Sequence, residues 1–111
     1  MQAMENVQFT SVDWGRLPAE KHPGELGMSV WRTQSAGGLR TRIVLYSPGF
    51  RSDHWCERGH VLLVLEGELC VDLKDGRTFT FQAGQGFIAG DDAANPHKAH
   101  TGPGAKVFIV D

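Results

Sequence analysis

The chain has 111 residues, which suits one domain that can bury a core without covalent staples. Apolar residues at 41% and charged residues at 22% are ordinary globular usage and exclude a disordered or fibrous chain. A formal net charge of −2, with acids and bases interspersed, lacks the concentrated basic face that nucleic acid or an anionic membrane rewards, so a small molecule is the expected partner.

The first residues, Met-Gln-Ala-Met-Glu-Asn, show no basic or apolar targeting region, and a cytoplasmic location is expected. The longest apolar run, Val61 to Leu65, is far too short to span a bilayer. Short β-branched, aromatic and aliphatic runs separated by Gly, Pro, Asn and Asp predict an all-β sandwich or barrel. The predicted strands are Val7–Thr10, Met28–Ser35, Leu39–Tyr46, Phe50–Cys56, His60–Glu66, Glu68–Leu73, Thr78–Phe81, Gly86–Ile88, Pro96–Thr101 and Ala105–Val110.

Between the first two, Val12 to Gly27 is broken by Pro18, Pro23, Gly24 and Gly27 and reads as irregular, with Trp14 and Leu17 pinning it to the barrel. Residues 1–27 thus form an N-terminal strand and irregular segment, and 28–111 the barrel of a single domain. Ser47-Pro48-Gly49 reads as a turn, and Asp75-Gly76 as a tight hairpin. Val61 to Leu65 is apolar at every position, so both faces of that strand are expected to be covered, the outer one by the N-terminal segment or a second subunit. A homodimer is the corresponding expectation.

The chemistry concentrates in Asp53-His54-Trp55-Cys56-Glu57-Arg58-Gly59-His60. Alternation along a strand points His54 and Cys56 to one face. A bend at Arg58-Gly59 lets His60 return to the same interior point, and Asn95-Pro96-His97 delivers a fourth group from the start of a late strand. Imidazole and thiolate are the usual ligands of zinc and other borderline metals. One such His or Cys alone is more often a satisfied polar residue or a small buried hydrophobe. Four together point to a site for a divalent metal ion held by His54, Cys56, His60 and His97. Zinc is the first choice, with iron, nickel or manganese as alternatives.

These residues resemble the cupin superfamily. Its first motif runs Gly, five residues, His-x-His, three or four residues, Glu, six residues, Gly. Here Gly49 precedes His54 by one residue fewer, Cys56 stands for the second His, His60 stands for the Glu, and Gly67 is in register. The second motif is Gly, five residues, Pro-x-Gly, two residues, His. Gly84 to Gly90 is similar to its opening and Asn95-Pro96-His97 to its close, with Asp91 to Ala94 as an insertion and no internal Pro-x-Gly. Asp53-His54-Trp55-Cys56 also resembles the uncharacterised cupins known by an Asp-His-Cys-Trp motif, with the last two residues inverted. The resemblance implies a cupin-type double-stranded β-helix, a jelly-roll barrel. The missing carboxylate puts the iron or manganese oxygenase chemistry of the family in doubt.

Among other residues, His100 is expected on the face opposite His97, His22 in a solvated loop, and Cys70 in a buried apolar role. Arg42 shares a strand face with Arg40 and Tyr46 and could grip a substrate carboxylate as a fork, although a solvated face is the commoner role for Arg. Trp31, Trp55 and Phe50 read equally as the mouth of a pocket or as plain core or interface aromatics. Two functions remain open. One is a metal-dependent enzyme, dioxygenase-, isomerase- or hydrolase-like, acting on a small polar molecule in the barrel. The other is a non-catalytic binding or sensor module with a closed shell of one cysteine and three histidines. The number of protein ligands separates them. No catalytic residue apart from the ion is visible.

Overall fold

The computed structural model describes residues 4–111. Within them, after a short 3-10 turn at Trp14–Arg16, come eight strands: β1 (Glu20–Pro23), β2 (Met28–Ala36), β3 (Leu39–Tyr46), β4 (His60–Leu73), β5 (Thr78–Gln82), β6 (Gly86–Ala89), β7 (His97–His100) and β8 (Ala105–Val110). Their pairings are antiparallel, in the order β1-β2-β3-β8-β4-β5, with β6 and β7 also on β4.

Strand β4 organises the barrel. Its first half pairs with β6 and β8, and its second half with β5 and β7. The passage between the two sheets is made at Glu66-Gly67, where the register against β8 slips after Val64 and Gly67 takes φ +79°. A side chain at Gly67 would meet the Gly104 carbonyl oxygen at 2.1 Å, so only glycine fits. The extra residue switches the inward face. Leu62 and Val64 are buried before the bend, Leu69 and Val71 after it. With Val44, Ala105, Val107 and Ile109 they make the core.

Several sequence expectations change. The two strands expected over 60–66 and 68–73 are one continuous strand, because the Gly67 bulge bends the ladder without ending it. Residues 7–10 form no strand, whereas Glu20–Pro23, inside the stretch read as irregular, pairs with Met28–Trp31. Pro23 can end a strand at the sheet edge, where its missing N–H costs no ladder bond. Residues 50–56 contribute only isolated bridges at Arg51 and Cys56. Trp14 does pin the N-terminal segment, donating from Nε1 to Thr41 Oγ1 at 3.2 Å and meeting Phe108 edge-on at 5.4 Å. Among the described residues, that segment borders Leu65 but leaves the outer face of β4 partly open, with Val61, Leu63 and Leu65 47%, 40% and 39% exposed.

Candidate metal centre

Cys56 and His97 are brought together by the backbone. Each donates its N–H to the other's carbonyl, at 2.7 and 2.9 Å, as a directly opposed antiparallel pair. Such a pair sets its two side chains on the same face. His60 arrives from the other side at the start of β4. The turn before it is held by the Gly59 N–H donating to Asp91 Oδ1 at 2.7 Å. A side chain on Gly59 would strike the Ala89 carbonyl at 2.3 Å, so the close approach that admits His60 requires glycine.

The Sγ of Cys56 and the ring nitrogens of His60 and His97 all lie within 4.8 Å of one another. His60 Nε2 is 3.0 Å from His97 Nε2 and 4.0 Å from the sulfur. Ligands about 2.0–2.3 Å from a tetrahedral ion stand roughly 3.3–3.7 Å apart, so these separations bracket a shared cation. Burial lowers the pKa of both imidazoles, and His60 further lowers that of His97, which favours the neutral form a metal needs.

The tautomer of His60 follows from Asp111. The His60 Nδ1 lies 3.1 Å from Asp111 Oδ2, so the ring N–H donates there and Nε2 turns its lone pair to Cys56 and His97. Asp111 is almost wholly buried, its side chain 2% exposed. It accepts from Arg40 Nε and Nη2 at 2.8 and 2.9 Å and from Arg42 Nη2 at 3.1 Å, with Arg58 Nε at 3.8 Å. Burial alone would raise its pKa, but Arg40, Arg42 and His60 together hold it well below the usual carboxylate range. The sequence reading passed over Asp111. The available signal was parity, since Ala105, Val107 and Ile109 are buried and Asp111 is next on that face.

His54 is the one sequence candidate that the structure does not draw into the group. Its side chain is 76% exposed, and its Nδ1 lies 2.6 Å from Asp53 Oδ1, a contact that lowers the Asp53 pKa. It stands at the rim of a cavity of about 530 Å³ that Cys56, His60 and His97 also border.

Trp31, Arg42, Tyr46 and Phe50 line the same cavity. Arg42 is 4% exposed, so its face of β3 is interior and not the solvated one that habit favoured. Its guanidinium stacks 4.3 Å from the Trp31 ring. Burial comes first in lowering the Arg42 pKa, followed by Arg40. Burial pushes the Tyr46 phenol up to about 12. His22, expected in a loop, lies on β1 and packs on Trp31 at 4.0 Å. His100 faces away from the cavity, 3.3 Å from Asp72. Trp55 also faces away, flanked by Lys74 and Lys98 at 4.7 and 4.9 Å. Cys70 is only partly buried and lies 3.6 Å from Thr80 Oγ1, so it is not the apolar core residue expected. A second recess of about 310 Å³, lined by Phe79, Phe81 and Ile88, shares Val71, Phe87 and His97 with the first cavity.

No family model and no curated protein sequence matches the chain. Solved structures do. The chain is similar to Fe(II)-HppE with the alternative substrate (S)-1-HPP, at TM-score 0.75 and 15% identity, over 93% of this chain and 60% of that one. It is similar to the polyketide cyclase RemF of Streptomyces resistomycificus, at TM-score 0.73 and 24% identity, over 93% and 78%. A sugar phosphate isomerase from a cupin superfamily of Silicibacter pomeroyi aligns at TM-score 0.70 and 17% identity, over 91% and 74%. At these identities the likeness is one of fold. The bent hub strand, the all-antiparallel pairing and these neighbours together show that the chain has the fold of a small cupin-type barrel.

Proposed function

We propose that the chain binds a divalent metal ion through Cys56, His60 and His97 and acts as a metal-dependent enzyme on a small polar molecule in the barrel cavity. The observation that carries this reading is the convergence of those three ligand atoms at the wall of the cavity, with His54 outside the group. Three protein ligands beside a cavity are the pattern of catalytic sites, which keep a coordination position open. A thiolate among them favours zinc, and iron, nickel and manganese are the alternatives. When bound, such an ion supplies Lewis acidity to a carbonyl or to water. Asp111 holds the His60 proton on Nδ1 and keeps the ring oriented. Phe87, which packs against His60 and His97 at 6.1 and 5.7 Å, excludes water from one side of the rings.

A second reading is favoured by the position of His54, two residues from Cys56 and at the cavity rim. Turning its ring inward would complete a closed shell of one thiolate and three imidazoles, and the module would then be structural or a sensor. Elemental analysis of purified wild type, His60→Ala and His54→Ala separates the two. Loss of metal in His60→Ala with retention in His54→Ala supports the three-ligand reading. Equal loss in both supports the closed shell, and undiminished metal in His60→Ala refutes both.

The reading includes a cytoplasmic protein, where a thiolate ligand such as Cys56 stays reduced. It also includes a homodimer formed through the exposed outer face of β4, whose apolar side chains a second copy would cover.

A further inference from the structure

The charges around the cavity do not balance. Arg40, Arg42 and Arg58 all border it, and all three converge on Asp111, which lies behind the wall and not on it. Asp53, the one carboxylate among the described residues that borders the cavity, is engaged by His54. The surface offered to a ligand is therefore cationic before any divalent ion is added.

Within this surface Arg42 is underbonded. Its Nη2 donates to Asp111 at 3.1 Å, but its Nε is buried and has no partner. A buried unpaired donor is costly, the more so when charged. The residue lines the cavity, where an anionic ligand would offset that cost. Tyr46, the last residue of β3 and the partner of Ala105, faces the same interior as Arg42 and brings a protonated phenol to the same wall. The Trp31 ring covers one face of the Arg42 guanidinium, Nη2 is held by Asp111 and Nε is closed off, which leaves the Nη1 end as the side toward the cavity. That end presents coplanar N–H groups, which match two coplanar oxygens.

We infer that Arg42, with Tyr46 further along the same wall, is the subsite for the carboxylate of a small organic acid bound in the cavity. This deepens the reading of the cavity as a ligand site. It sets the acid's carboxylate on the β3 wall and the rest of the molecule toward Cys56, His60 and His97.

Propanoate, propanamide and inorganic phosphate are the probes. They are titrated into zinc-loaded and EDTA-treated protein, with binding read by calorimetry and by the NMR resonance of the Arg42 Nε–H. Propanoate is expected to bind and shift that resonance, propanamide to bind at least tenfold more weakly, and phosphate more weakly than propanoate. Arg42→Lys keeps the charge but loses the planar fork, and is expected to weaken propanoate about tenfold in the EDTA-treated protein, where the zinc site plays no part. If Arg42→Lys fails to fold, Tyr46→Phe and the Nε–H shift decide. Equal binding of propanamide, tighter binding of phosphate, or an unmoved Nε–H resonance overturns the assignment. Propanoate binding that depends on Arg42 in protein unable to take up zinc supports the subsite while removing the metal reading.

Discussion

Replacing Asp111 by Asn tests the polar network that ties the barrel wall to the candidate metal centre. The change keeps the shape and removes the charge on which Arg40, Arg42 and His60 converge. An amide oxygen accepts from one or two of these donors, and its NH2 group opposes the rest. Breaking one partner out of a buried ion pair costs about 3–5 kcal/mol. Arg40, whose side chain is 30% exposed, recovers part of its solvation, which brings the expected loss to about 2–4 kcal/mol. For a domain of this size that lowers Tm by about 8–16 °C. Losing the partner of a metal-ligating His typically costs about 10–100-fold in metal affinity. The sign with pH is also set. The folded Asp111 pKa is depressed, so its stabilisation is present above the unfolded value of about 3.9 and is lost as pH falls below it. Urea titrations of wild type and Asp111→Asn, followed by circular dichroism at pH 7 and pH 3, should therefore show a gap that narrows at the lower pH. Competition with a zinc chromophore measures the affinity. Equal stability and equal zinc affinity at pH 7 would refute the network's role.

Three further outcomes are expected. Burial lowers the His60 and His97 pKa values, so metal-free protein keeps their contribution above about pH 6.5 and loses it as pH falls through the lowered folded values. A flat thermal midpoint between pH 8 and 5 in EDTA would contradict that. Gly86→Ala places a Cβ 1.8 Å from the Leu62 carbonyl oxygen, so it must part β6 from β4 at a cost of about 2–3 kcal/mol. A urea midpoint unchanged by the substitution counts against that pairing. If Leu63 and Ile88, which are 40% and 83% exposed, are covered by a second copy, Leu63→Glu should convert a sedimenting dimer to monomer. A wild-type protein that sediments as a monomer at tens of micromolar removes the dimer.

Much of the barrel could be read from local pattern. Leu39–Tyr46 and Ala105–Val110 have the bounds that alternation predicted, and Asp75-Gly76 makes the hairpin, with Gly76 at φ +99°. Residues with strong β preference need no distant partner to declare an extended chain. Cys56, His60 and His97 were legible as a group because their residue types are those that bind metals, at spacings a bent strand can bring together.

What tertiary structure alone decided was which face of each strand became the interior, and with what companions. Glu20–Pro23 is a strand only because Met28–Trp31 lies beside it to take its hydrogen bonds. Arg42 looked like a surface residue because burying a guanidinium is costly. It is interior because Asp111, 69 positions later, and the Trp31 ring meet it there. His54 shares strand parity with Cys56, yet residues 50–56 form only isolated bridges, so alternation gives no purchase on where its ring turns. Local sequence carries propensity and period. Charge pairing across a barrel depends on contacts between residues far apart in the chain, which closure of the sheet creates.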